Sequence, residues 1–328
     1  MRFLRLAMFS MWLAASSAAT QAEIGESSVT FRNGDVELAG TVFTPVDGGP
    51  FPGLVLVHGS GSGLRSELLE VAKRLAFGGI VVLIYDKRGS GQSGGDWVTS
   101  SLADLAADAT AAFRFIASQP RVDPQRSGYW GVSQGGWVVP LAANMSSPAF
   151  AIVVTGGGLT PKQVESAQYR TIVQNIDDSM EAANVADLLL EAYFDYLASA
   201  ISYESLMAII EPLQAEPWFN KMGIERVIPS PENRSNWAWV ATFDPQESIR
   251  QLTMPVLVLL GAKDPLTPTC ATARVWRQTL ATNVTRNQVI VFEDAGHAMR
   301  TGGHGGDFVA DYFKTQFDWL RAVGVLQD

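Results

Sequence analysis

Cysteine is almost absent from this chain: Cys270 is the only one in 328 residues. No internal disulfide can form, so the fold has to be held by its apolar core. Histidine is nearly as scarce, with only His58, His297 and His304. No Cys/His cluster has metal-ligand spacing, and neither a metal nor a cofactor is expected. Charged residues are few and their balance is acidic, a net of −9, which argues against polyanionic partners such as nucleic acid. Past residue 22 no apolar run is long enough to span a bilayer, so no stable membrane insertion is expected. A phosphate-cradling loop is a weak rival reading. Gly59, Gly61 and Gly63 are followed by Leu64, Arg65 and Ser66, and no Gly-Lys-Ser/Thr appears there.

What is present is a pentapeptide, Gly131-Val132-Ser133-Gln134-Gly135, between an apolar run (Gly128-Tyr129-Trp130) and a helix-like stretch over residues 137–144. A serine on a tight strand-to-helix turn has its side chain pushed out at the carboxyl edge of a sheet, and small flanking residues let the chain turn that sharply. The following helix offers unpaired N–H groups to a developing negative charge. A serine hydroxyl needs a base, and the base needs an anion to fix its tautomer. His297 follows the apolar run Val289-Ile290-Val291-Phe292, whereas His304 sits among glycines (Gly302-Gly303-His304-Gly305-Gly306) that cannot hold an imidazole in place. Asp264 ends the buried run Val256-Leu257-Val258-Leu259-Leu260 after the turn at Gly261; Asp294 and Glu293 are the rival acids, but lie too near His297 in sequence to reach it easily. The run Leu54-Val55-Leu56-Val57 enters the turn His58-Gly59-Ser60-Gly61, where a backbone N–H can face a substrate oxyanion. The N–H groups of Ser60 and Gln134 are the expected donors, with Gly59 the near alternative to Ser60. His58 is expected to be a structural hydrogen-bonding residue beneath that loop, and Cys270 a packing residue at the start of the helix after Asp264.

The remaining chain falls into three parts. Residues 1–22 carry Arg2 and Arg5, a short apolar core and then small residues, as a secretory signal peptide does, with cleavage after Ala19 or Ala22. The protein is accordingly expected to be periplasmic or secreted. From residue 23 a hairpin with its turn at Asn33-Gly34 precedes strand–helix alternation, which implies a mostly parallel sheet covered on both faces. Residues 86–97 form a glycine-rich loop that either borders the site or is simply a turn, with equal warrant for each. Residues 160–247 lose the strand pattern and are expected to form a mainly helical cap over Ser133, inserted between core segments 23–159 and 248–328. Residues 162–247 hold five basic and fourteen acidic side chains, a net of −9 that equals the charge of the whole chain. Trp218, Phe219, Trp237, Trp239 and Phe243 either line an apolar pocket or pack the core; sequence does not separate the two roles.

These motifs, together with Tyr85-Asp86-Lys87-Arg88-Gly89-Ser90-Gly91-Gln92-Ser93 and Ala295-Gly296-His297, resemble the α/β-hydrolases, in particular the bacterial serine esterase and acyl-peptidase-like group related to the dienelactone hydrolases. The resemblance covers the chain from about residue 28 onward apart from the middle insertion. It implies a Ser133–His297–Asp264 triad and an oxyanion hole at Ser60 and Gln134. The expected substrate is a small-molecule ester, or a short peptide in the aminopeptidase alternative; a thioesterase ranks third because the cap is acidic, and a catalytically relic binding scaffold is the non-enzymatic alternative.

Overall fold

A computed structural model describes residues 23–280, 284–302 and 306–327. The leader expected at residues 1–22, and His304, lie outside the described residues. Strand β1 (Ile24–Asn33) and strand β2 (Val36–Pro45) form an antiparallel hairpin whose closing pair is Asn33 and Val36. The two turn residues are therefore Gly34 and Asp35, one position later than Asn33-Gly34. Gly34 takes φ +57°, a conformation glycine adopts without steric cost, and this fixes the turn's register.

Strands β3 (Phe51–Val57), β4 (Val81–Tyr85), β5 (Val122–Val132), β6 (Phe150–Val154), β7 (Val256–Gly261) and β8 (Gln288–Phe292) complete an eight-stranded sheet ordered β1-β2-β4-β3-β5-β6-β7-β8. β2 meets β4 antiparallel, and every pairing from β4 through β8 is parallel. The central strands are continuous apolar runs because both faces are covered. Alternation within each run still sorts side chains by face. Val55, Val57, Val153, Val256 and Val258 join one apolar layer, with Leu54, Leu56, Ile152, Leu257 and Leu259 in the other.

Helices α1 (Leu69–Phe77), α2 (Leu102–Ala117) and α3 (Gly135–Asn144) connect the first strands. Between β6 and β7 come α4 (Pro161–Gln174), α5 (Met180–Leu197), α6 (Tyr203–Ile210), α7 (Phe219–Met222), α8 (Arg234–Thr242) and α9 (Gln246–Arg250), followed later by α10 (Thr269–Thr279) and α11 (Tyr312–Ala322). α2, α3 and α10 cover one sheet face, α1 and α11 the other. The starts of the insertion helices are written in the sequence. Thr160 and Gln163 make a capping box on α4, while Ser179 and Ser202 cap α5 and α6. These helices have their own apolar centre, built on Leu189, Leu190, Tyr193, Leu206, Trp218 and Phe219. Helices between β6 and β7 thus have an apolar core of their own, while Val164, Trp239 and Phe243 pack against the sheet's apolar layer.

Cys270 differs from expectation. It stands in the first turn of α10 but is exposed. The buried stripe of that helix runs through Thr272, Ala273, Trp276 and Thr279, at helical spacing, and Cys270 lies off it.

Candidate active site

Parallel pairing places the carboxyl ends of β3, β5, β7 and β8 along one edge of the sheet, where ligand sites of open α/β sheets form. Ser133 follows β5 with φ +55°, a conformation costly for any residue with a Cβ and therefore one that its surroundings must enforce. They do so through backbone bonds: Ser133 N–H donates to Val154 O at 2.9 Å, and Gly136 N–H donates to Ser133 O at 2.8 Å. Two glycines admit the turn. A Cβ on Gly59 would stand 3.2 Å from Ser133 Cβ, and one on Gly156 would collide with Ser133 O. α3 begins at Gly135, two residues earlier than its sequence pattern implies, so its amino end lies directly behind the serine.

Asp264 and His297 meet although 33 residues separate them: His297 Nδ1 lies 2.8 Å from Asp264 Oδ2. The other carboxylate oxygen accepts the N–H groups of Leu266 and Thr267 at 2.8 and 3.0 Å. Three such bonds orient the carboxyl group. The histidine loop is tied to the end of β7 by Ala262 N–H to Phe292 O and Lys263 N–H to Ala295 O, both 2.9 Å. The rival acids point elsewhere. Asp294 pairs with Lys263 Nζ at 2.7 Å on the surface, and Glu293 is exposed. Among the described residues, Ser133 and His297 are joined by shared cavity walls rather than by a hydrogen bond. One cavity, of about 630 Å³, lies under the insertion; another, of about 390 Å³, opens toward α1 and α11. Ser60 lines both cavities and Gln134 the larger. Neither Ser60 N–H nor Gln134 N–H donates to a described residue.

His58 is buried with Nε2 2.7 Å from Tyr85 O; burial pushes its pKa down to about 4, so it is neutral at physiological pH and packs beneath the loop.

Sequence reasoning missed Lys87. The loop over residues 86–97 carries it under the turn after β3, where its Nζ donates to Gly59 O (2.6 Å), Gly61 O (2.9 Å) and Gln134 Oε1 (2.8 Å). Three donors require the ammonium form. Burial pushes this amine down to about 8, which leaves it charged at neutral pH. One buried cation thus ties together the turn bearing Ser60 and the residue after Ser133. The signal available in sequence was a lysine directly after an apolar strand and before a glycine-rich turn; its three acceptors come from two other loops, which no local pattern reveals. The loop is itself anchored. Arg88 forms a two-pronged pair with buried Asp108 at 2.6 and 2.7 Å, and Asp86 accepts N–H groups of Arg65 and Gln92.

The structure also separates the aromatic residues of the insertion. Trp218 and Phe219 are fully buried in its own core, whereas Trp237 and Trp239 stack at 6.3 Å and line the larger cavity. Phe243 packs against the sheet's layer.

The sequence matches the profile of the Alpha/beta hydrolase family over residues 54–311. The chain belongs to this family, and the eight-stranded sheet with helices on both faces is its fold. Esterase EstD of Thermotoga maritima is 25% identical over 286 residues, 84% of this chain and 61% of that protein. An uncharacterized protein of Mycobacterium tuberculosis is 31% identical over 153 residues, 47% of this chain and 53% of that protein. The chain thus spans about half to three fifths of the length of these relatives. Among solved structures, the alpha/beta hydrolase GrgF from Penicillium sp. sh18 superposes with a TM-score of 0.61 at 18% identity, covering 92% of this chain and 100% of that one. Acetyl xylan esterase from Paenibacillus sp. R4 gives 0.55 at 19%, covering 94% and 86%. Among the described residues no helix is long and apolar enough to cross a membrane.

Proposed function

We propose that the protein is a serine hydrolase that cleaves carboxylic esters through an acyl-enzyme. The observation that carries this reading is the His297–Asp264 pair at 2.8 Å, opening onto the same cavities as a serine held at φ +55°. Ser133 Oγ attacks the ester carbonyl as His297 Nε2 takes its proton. His297 returns that proton to the departing alcohol, and water then releases the acid by the reverse sequence. Asp264 holds the imidazole tautomer and balances the imidazolium. The Ser60 and Gln134 N–H groups bind the oxyanion, with the Lys87 ammonium fixing both segments from behind. Two cavities meeting at Ser133 suit the acyl and alcohol halves of one ester. The helical insertion acts as a cap that excludes water and selects the substrate.

Turnover of p-nitrophenyl esters of rising acyl length, with fluorophosphonate labelling of Ser133, tests this reading. A chain that neither labels nor turns over any ester is a binding scaffold instead. A second reading, cleavage of a short peptide by the same chemistry, is favoured by an unpaired carboxyl group, Glu165, in the wall of the larger cavity. Aminoacyl p-nitroanilides with free and blocked amino ends distinguish it. Export to the periplasm or medium, proposed from residues 1–22, is checked by amino-terminal sequencing of protein recovered from those fractions.

A further inference from the structure

Glu165 stands on α4 in the wall of the 630 Å³ cavity, together with Ser133 and His297. As a residue it is partly buried, but its Oε2 is sealed from solvent and has no hydrogen-bond partner. Among the described residues none donates to either carboxyl oxygen and no cation pairs with it. Lys87, in the same wall, has its three donors committed to Gly59, Gly61 and Gln134. Arg226, also in that wall, is exposed and forms no ion pair with it. A carboxyl group buried without a partner is costly and calls for an explanation.

The rest of the wall says what would satisfy it. Trp97 meets Trp237 edge-on at 6.3 Å, Trp237 stacks on Trp239, and Tyr169 and Tyr193 stand beside Glu165. Aromatic faces attract cations through their quadrupole, more strongly once water is excluded. The insertion's net charge of −9 raises the concentration of cations around it. Val164 and Val240 add apolar surface for an alkyl stem. A neutral ester would leave the carboxyl unsatisfied; an ammonium would supply both its charge and its donors.

We propose that Glu165 is the recognition carboxylate for substrates that carry a protonated primary amine, held between this group and the tryptophan wall with the acyl carbon at Ser133. This rests on the reading of the cavity as the substrate site and names the substrate class. Burial pushes the pKa of Glu165 up to about 7, the behaviour of a carboxyl without a counter-ion; a bound ammonium would bring it down again.

The test is calorimetric binding of hexylammonium and of hexanol to the full chain at pH 8, where carboxylate and amine are both charged. Hexylammonium should bind at least about tenfold more tightly than the alcohol. In the isosteric Glu165→Gln variant, whose fold is checked by its melting temperature, the ratio should fall close to one. Equal affinity in the unmodified protein overturns the proposal without any variant, and leaves Glu165 a packing group. A preference that survives Glu165→Gln also overturns it and shifts recognition to other acids of the insertion. The readout does not need Ser133. Ammonium binding without ester turnover would sink the esterase reading alone, while turnover of neutral esters with no ammonium preference would sink only the subsite.

Discussion

Ser133, His297 and Asp264 stood out in the sequence as candidates because each belongs to a recognisable local pattern: a strand–turn–helix pentapeptide and two apolar runs that stop at a turn. Removing the proposed nucleophile should remove the chemistry. Ser133→Ala is expected to lower ester kcat about ten-thousandfold or more, since the members of such a unit act together; retained turnover in that variant would overturn the assignment. Lys87 was not legible, because its role exists only where three acceptors from separate loops converge on it. In the proposed mechanism it is a positioning residue, bonded to the turn that carries Ser60 and to Gln134 rather than to a reacting atom. Lys87→Met should lower kcat about a hundredfold with KM little changed, the size of effect that a small displacement of donors produces. The pH profile separates this from general damage. With a pKa of about 8 the ammonium is present below that pH and lost above it, so wild-type activity should fall on the alkaline side near pH 8. That limb should be missing from the residual activity of Lys87→Met, and a limb identical in both proteins would exclude Lys87 as its source.

At the scale of elements, alternating strands and helices could be read because buried parallel strands are continuous apolar runs, and capped helices announce their starts at Thr160, Ser179 and Ser202. Less legible was anything decided by the far side of a contact. The hairpin turn shifted by one residue because the conformation of Gly34, not the Asn-Gly pair, sets the register. Trp218 and Trp237 have equivalent local sequence character, yet one packs a core and the other lines a cavity. The loop over residues 86–97 read as a turn or a site border with equal warrant, and its anchoring pair, Arg88 with Asp108, spans 20 residues. That pair is buried on both sides, with side-chain exposures of 9% and 2%, so halving it should be far worse than replacing it. Arg88→Ala leaves the Asp108 carboxylate buried, with Asn33 Nδ2 as its remaining donor, and is expected to cost about 3–5 kcal/mol of stability. Arg88→Met with Asp108→Leu should cost clearly less. Chemical denaturation of the two variants checks this, and equal losses would mean that the ion pair contributes only its volume.

At the scale of the whole molecule, two buried groups give opposite slopes to stability against pH. His58 titrates near 4 in the folded chain and 6.5 when unfolded. Between those values the unfolded chain binds the extra proton, so the stability that neutral His58 contributes is present above pH 6.5 and lost as pH falls toward 4. Glu165 runs the other way, near 7 folded and 4.5 unfolded. There the folded chain holds the proton longer, so its contribution is complete below pH 4.5 and lost as pH rises through 7. Each amounts to about 3 kcal/mol across its window at 1.36 kcal/mol per pH unit. From pH 4.5 to 6.5 the two nearly cancel, and the contribution of this pair should be flat. Glu165→Gln removes one side of the balance. Its stability relative to wild type should therefore rise with pH across 4.5–7, as the midpoint of denaturant unfolding would record. Taking the difference between the two proteins cancels every other titrating group. A difference that stays constant with pH would mean that Glu165 ionises in the fold as it does in water, and the unpaired carboxyl would lose its claim to be waiting for a cation.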